Sequence, residues 1–487
     1  MSEFSKTLRE ISTQSLGYGL STILSRLIGF ISVPILAHYF STEQYGTVSL
    51  VQVALSLAVI IAGMNVGSGV SFYFFQHESK DIKKKVLGSG VVYILIASFL
   101  ISLSVFVFSE AISDILNLRQ KKDSYYSFQT YLEIGSIYLF FGIFMTAIQN
   151  ILRLHKEPYK YLVCELVNFG TNILVLVLLV CVLETGLEGV FWARAAGVLA
   201  GSFCGLFYVR KRYTLCLSSS LLFPVLFYSL PQFPASLLGW GQGQASRLLI
   251  NYFTDLHEQG LFATAFILAS VLNLANAAFR LAYDPFALSI MKNENAKEMY
   301  AKIFTAYSFT LGLLLICFLC FIRSFVSLIT PEEYHSCYVI TYFLAGSFFM
   351  AGCNNILGTG IWVTGRTIFS SYCQVFTFVT VLASGFLLIP IYKATGAALS
   401  LFLGSLVHSL VLFFMTQKIY KVNYRYIQSV IFVVVSVMTI FSLRNISNEI
   451  FFTLLISFIC FLTLGFFAYL ILMPRGAIRF IRKHLHV

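Results

Sequence analysis

Apolar stretches of about 20 residues recur along almost the whole chain, separated by short polar breaks, and each is long enough to cross a bilayer as one helix. No water reaches the backbone inside hydrocarbon, so a spanning chain must close its hydrogen bonds within helices or within a closed barrel. The stretches are far longer than the roughly 10 residues of a barrel strand, which selects helices. Spans fall near 14–39, 47–75, 86–108, 130–152, 161–183, 189–209, 223–250 and 259–285. Further spans fall near 302–323, 337–362, 368–389, 395–416, 428–443 and 450–473, making about fourteen transmembrane helices in all. Composition agrees, since only 11% of the 487 residues are charged, against roughly a quarter in soluble chains. The fold class is all-α, a polytopic membrane protein without a soluble domain of its own. The first stretch is too long for a cleavable signal and has no small-residue cleavage site, so it reads as a permanent helix.

A net charge of +12 would suit nucleic acid if it formed a soluble basic face, but the basic residues fall in short runs between spans. With the N-terminus inside, the inner connections hold runs such as Lys83-Lys84-Lys85 and Arg210-Lys211-Arg212, and the tail holds Arg475, Arg479, Arg482 and Lys483. The outer connections hold only Arg119, Lys121, Lys122, Arg323, Lys393 and Arg444. This is the bias that sets orientation in a membrane, and it places both termini in the cytoplasm, with membrane lipids and no nucleic acid as surroundings. The longest outer connection, near 109–129, leaves little room for an extracytoplasmic catalytic domain. Cys317 and Cys320 form a C-x-x-C inside an apolar span, and His484 and His486 lack Cys or carboxylate partners. Neither reads as a metal site, and no cofactor is expected.

Two segments echo each other: Tyr39-Phe40-Ser41-Thr42-Glu43-Gln44-Tyr45-Gly46 and Tyr252-Phe253-Thr254-Asp255-Leu256-His257-Glu258-Gln259-Gly260. Each joins the first two helices of a six-helix repeat. An even number of helices gives both copies the same orientation, so the pseudo-two-fold axis should run along the membrane normal. The expected organisation is an N-terminal lobe at 1–215, a C-terminal lobe at 216–420, and two extra helices with a basic cytoplasmic tail at 421–487.

Charges within hydrocarbon cost several kcal/mol unless they face water or a partner, so intramembrane arginines are candidate site residues. Arg26 shares a helix face with Thr22, Ser25 and small residues, opposite a face of Leu and Ile. Such a helix lines a cavity or makes a close helix contact. The seventh span carries Gln242, Ser246 and Arg247 on a polar, glycine-rich strip downstream of Pro231 and Pro234, which favour a bend. Arg247 lies near the outer end, where snorkelling to the interface is the rival reading. On the eighth span Asn273, Asn276, Arg280 and Asp284 fall on one stripe, and Arg280 and Asp284, four apart, can pair with each other. Arg26, Arg247 and Arg280 are thus the candidates for binding an anionic solute, with Thr22, Ser25, Gln242, Ser246, Asn273 and Asn276 lining the cavity. A coupling ion, H+ or Na+, would act through Asp284 or Glu165. The Gly63-x-x-x-Gly67 spacing in the second span reads as a packing feature.

The chain resembles polysaccharide and O-antigen flippases of the multidrug/oligosaccharidyl-lipid/polysaccharide exporter superfamily. The likeness rests on Ser25-Arg26-Leu27-Ile28-Gly29-Phe30 with Pro34, Leu36-Ala37 and Glu43-Gln44-Tyr45-Gly46. Its second half carries Ser246-Arg247-Leu248-Leu249-Ile250-Asn251-Tyr252-Phe253 and Gly260-Leu261-Phe262. A third echo is Pro331-Glu332-Glu333-Tyr334 with the stretch from Asn354 to Arg366. The resemblance implies two six-helix lobes around a central cavity, with Arg26 and Arg247 as the arginines of the first and seventh helices. It implies a bacterial inner-membrane flippase, not an enzyme, that turns an oligosaccharide on undecaprenyl pyrophosphate to the outer leaflet, alongside other polysaccharide assembly proteins. A drug/cation antiporter of the same superfamily and a membrane polymerase or ligase are the alternative readings.

Overall fold

A computed structural model describes residues 32–117, 128–291, 293–364, 366, 368–424 and 426–443. Every regular element among the described residues is helical, as backbone satisfaction in hydrocarbon demands. Among them, 9 helices are long and apolar enough to cross a membrane. One of these, Ile368–Ile419, contains Lys393 at φ 49°, a left-handed residue that ends one helix and begins another. It therefore supplies both expected spans near 368–389 and 395–416. The proline-bent stretch at 219–253 and the helix Tyr426–Leu443 supply two more of the expected spans. Of the first expected span only 32–39 is described, and the fourteenth lies outside the described residues. Large apolar side chains such as Phe99, Phe227, Leu328 and Leu387 are exposed on the helices, the surface of a protein whose solvent is lipid. The chain is a multi-pass membrane protein.

The chain forms two compact units, Met1–Gly260 and Leu261–Val487. In the first, α1 (Thr42–Gly63) begins with a capping box: Ser41 Oγ accepts from the Gln44 amide at 3.3 Å, and Gln44 Oε1 accepts from the Ser41 amide at 3.0 Å. It ends where Met64 and Asn65 turn left-handed, and α2 (Val66–Gln76) resumes the span. The break falls inside the Gly63-x-x-x-Gly67 spacing, so those glycines do not share a continuous helix face. Next come α3 (Lys80–Val107), the short α4 (Ser109–Asn117), α5 (Phe128–Leu154), α6 (Pro158–Leu176) and α7 (Leu187–Val209). Gly197, Gly201 and Gly205 give α7 a face without side chains, and a Cβ at any of them would press on Asn168, Cys164, Met145 or Ile148 of α5 and α6. Close approach of these three helices depends on that stripe. After α8 (Ser219–Ser229), Pro231 and Pro234 divide the seventh span at a 3-10 turn, Leu230–Gln232, before α9 (Phe233–Phe253).

The chain passes into the second unit along α10 (Leu256–Ala269), followed by α11 (Val271–Ser289), α12 (Ala296–Ile329), α13 (Cys337–Leu357), the one-turn α14 (Thr359–Val363), α15 (Ile368–Ile419) and α16 (Tyr426–Leu443). Gly396 lets the two halves of α15 fold back closely at Lys393, because a Cβ there would meet the Leu388 carbonyl. Hydroxyls in the spans return to their own helix: Thr341 donates to the Cys337 carbonyl at 2.8 Å and Ser400 to that of Gly396 at 2.8 Å.

Candidate functional site

In the second unit, α11, α13, α14 and α15 enclose a cavity of about 560 Å³. Near the end of α11, Arg280 and Asp284 stand one helical turn apart on its wall, with Nε and Oδ2 at 3.5 Å. Both side chains are about half exposed, at 55% and 52%, so the pair faces open space while its charges cancel. Between them Tyr283 shares a 2.7 Å hydrogen bond with Thr359 Oγ1, tying α11 to α14. Asn354 and Asn355 enter from α13, and Gln374 and His408 from the two halves of α15. Asn354 Oδ1 is buried and has no hydrogen-bond partner among the described residues. The Thr377 hydroxyl donates to the Cys373 carbonyl at 2.7 Å, so its oxygen, 2.9 Å from His408 Nδ1, accepts the ring proton. In the neutral ring that leaves His408 Nε2 as an acceptor. The cavity thus combines planar amides, an imidazole acceptor, an internally neutralised ion pair and the Trp362 ring.

The first unit holds a different polar cluster. Tyr45, buried near the start of α1, lies within electrostatic reach of Arg194 on α7 and Arg247 on α9. The Arg194 guanidinium donates to the Gln52 side-chain oxygen in the amide orientation that satisfies both groups. Ser246 is fully buried, and its Oγ has no partner among the described residues. Gln259 Nε2 donates to Ser49 Oγ at 3.1 Å, and Thr42 Oγ1 shares a hydrogen bond with His257 Nδ1. Here the two echoing sequence segments meet. A Cβ on Gly46 would fall under 3.0 Å from the Leu256 carbonyl oxygen, and one on Gly260 equally close to that of Thr42. Glycine is therefore required at both places for backbones to touch.

Among the sequence-predicted residues, Arg26, Thr22 and Ser25 lie outside the described residues. Gln242, Ser246 and Arg247 all sit on α9 in the first unit, as does Glu165 on α6, which is buried and accepts from Gln149 Nε2 at 2.5 Å. Asn273, Asn276, Arg280 and Asp284 share α11 in the second unit. Of these four, the cavity takes Arg280 and Asp284. Asn276 is buried in packing instead: it donates to the Phe348 carbonyl at 2.9 Å and accepts from the Tyr307 hydroxyl at 2.6 Å, pinning α11 to α13 and α12. Asn273 is half-buried and is not among the residues that line the cavity.

Residues 14–282, more than half of the chain, match the sequence profile of the family described as polysaccharide biosynthesis protein. The chain belongs to that family. A protein of the Lsg locus of Haemophilus influenzae is 22% identical over 311 residues, which is 62% of this chain and 72% of that protein. Among solved structures, lipid II flippase MurJ in an inward closed conformation aligns with a TM-score of 0.69 at 15% identity, covering 96% of this chain and 99% of MurJ. An inward-facing multidrug resistance MATE family transporter of the MOP superfamily aligns with a TM-score of 0.67 at 14% identity, covering 84% of this chain and 97% of the transporter. At such identities the likeness is one of fold, and it gives the chain the polytopic helical fold of membrane transporters. The cavity residues Asn355, Gln374 and His408 were not singled out by sequence, although a lone polar residue within an apolar span is itself a signal.

Proposed function

We propose that this protein is a flippase for a lipid-linked oligosaccharide of the undecaprenyl-pyrophosphate type. It moves that substrate by alternating access from the inner to the outer leaflet of the bacterial cytoplasmic membrane, for surface polysaccharide biosynthesis. Membership of the polysaccharide biosynthesis family carries the reading, and the transporter fold along almost the whole chain supports it. Such a substrate presents a doubly charged pyrophosphate between a lipid tail and a glycan. Arg26 and Arg247 are the residues for the pyrophosphate, because a guanidinium engages phosphate oxygens in pairs and keeps its charge in a low-dielectric site. Both termini lie in the cytoplasm, and the repeat copies act as two lobes. A coupling ion, H+ or Na+, would act through Asp284, in competition with Arg280, or through Glu165.

The likeness to MATE transporters fits a drug/cation antiporter as second reading. Exchange of cation and proton needs a carboxylate open to both. Here Glu165 is buried and accepts from Gln149, and Asp284 is paired with Arg280 yet half exposed, so it is family membership that ranks the flippase first. Deleting the gene in its native host should make lipid-linked oligosaccharide accumulate at the inner leaflet and abolish surface polysaccharide. Wild-type protein should restore export, whereas Arg26→Ala or Arg247→Ala at equal membrane levels should not. Unchanged polysaccharide with altered sensitivity to cationic drugs would favour the antiporter.

A further inference from the structure

We propose that the cavity of the second unit is a glycosyl subsite, which receives part of the sugar chain and not the pyrophosphate. The inference rests on the flippase reading and adds which chemical part of the substrate this unit binds. An anion site would present an arginine with its charge uncompensated. Arg280 instead stands 3.5 Å from Asp284, on the same wall, so a phosphate entering there would meet a carboxylate as well as a guanidinium. The pair offers donors on one side and acceptors on the other, the two functions that a sugar hydroxyl uses at once.

The other polar groups of the lining have the same character, set among apolar residues such as Ala287, Ile361 and Leu412. Asn354, Asn355 and Gln374 each combine an amide donor and an amide acceptor. Buried Asn354 Oδ1 is a group that a folded protein does not ordinarily leave unsatisfied. His408 Nε2 adds an acceptor, since its Nδ1 proton is committed to Thr377. Trp362, 63% exposed, presents an aromatic ring at the cavity, and such a ring packs against the apolar C–H face of a pyranose while hydroxyls reach the polar groups. The volume, about 560 Å³, falls in the range of small-molecule sites. Neutral amides, the Trp362 face and a cancelled ion pair match an uncharged polyol better than an inorganic anion.

The test is equilibrium binding to the full-length protein in lipid nanodiscs, with two probes. One is the glycan-bearing carrier extracted from the deletion strain, and the other is undecaprenyl pyrophosphate without sugar. Wild type should bind the glycan-bearing carrier about tenfold more tightly, the effect of one or two well-made hydrogen bonds. In the Asn354→Ala/Gln374→Ala double variant that ratio should fall to about one. A ratio unchanged in the double variant overturns the glycosyl subsite and leaves the flippase reading standing. Failure of wild type to bind either probe overturns the flippase reading itself. A second measurement leaves the polar lining intact. The protein has 3 tryptophans, Trp192, Trp240 and Trp362, so Trp192→Phe/Trp240→Phe leaves Trp362 as sole reporter. Free glycan released from the carrier should shift its emission, and inorganic pyrophosphate should not; the reverse response contradicts the assignment.

Discussion

Asn65 stands where α1 has ended and α2 has not begun, at φ 56°, a left-handed conformation that Asn and Gly tolerate and other residues resist. Its Nδ2 donates to Ser236 Oγ at 2.6 Å and to the Gln232 carbonyl at 3.2 Å, beside the proline-made break in the seventh span. Asn65→Ala loses both bonds and adds backbone strain, and should cost about 2–4 kcal/mol. Asn65→Gly keeps the conformation, loses only the bonds and should cost about half of that. Thermal unfolding in detergent should therefore rank wild type above Gly above Ala, and an Ala variant as stable as Gly would remove the conformational part of the argument. At this scale the sequence was partly legible. The pairing of Arg280 with Asp284 was readable from their spacing of one helical turn, because it involves one helix alone. The fate of Asn276 on the same stripe was not, because whether a polar residue meets a cavity or a neighbour depends on which helix packs there, here α12 and α13.

Helix contacts in lipid depend on how closely backbones approach, so glycines decide where elements meet. Two spacings of four carry this differently. Gly197, Gly201 and Gly205 lie on one unbroken helix and each is in contact with α5 or α6, whereas Gly63 has no described atom within 4 Å of where its Cβ would stand. Gly201→Val should overpack that interface by about 1–3 kcal/mol, while Gly63→Ala should be neutral or stabilise by about 0.4–1 kcal/mol. Thermal unfolding together with membrane levels of each variant checks this, and the opposite order would mean that the α7 interface tolerates extra volume. Of the Gly63-x-x-x-Gly67 spacing only Gly67 lies against a neighbour, Asn150 of α5, whereas all three glycines of the α7 stripe do. The reason is physical: the motif assumes a continuous helix, and the left-handed residues Met64 and Asn65 interrupt it. The proline bend in the seventh span was readable, since proline removes a backbone donor wherever it falls.

The order of spans within the described residues was legible because hydrocarbon thickness fixes the length of each one. The cavity of the second unit was not, because it is assembled from single polar residues on helices far apart in sequence. The echo between the segments of Gly46 and Gly260 was legible as a repeat, whereas the close approach of the two glycines was not. At the scale of the whole molecule, the proposed function is carriage of a lipid-linked oligosaccharide across the bilayer. The most direct measurement places the purified protein in liposomes that hold the glycan-bearing carrier, with a membrane-impermeant glycosidase outside. In protein-free liposomes about half of the glycan should stay protected, because an unassisted polar head group does not cross hydrocarbon. With the protein present, glycan from the inner leaflet should become cleavable, and Arg26→Ala should return protection to the protein-free level. Protection unchanged by the wild-type protein, in liposomes where it exchanges organic cations for protons, would contradict the account.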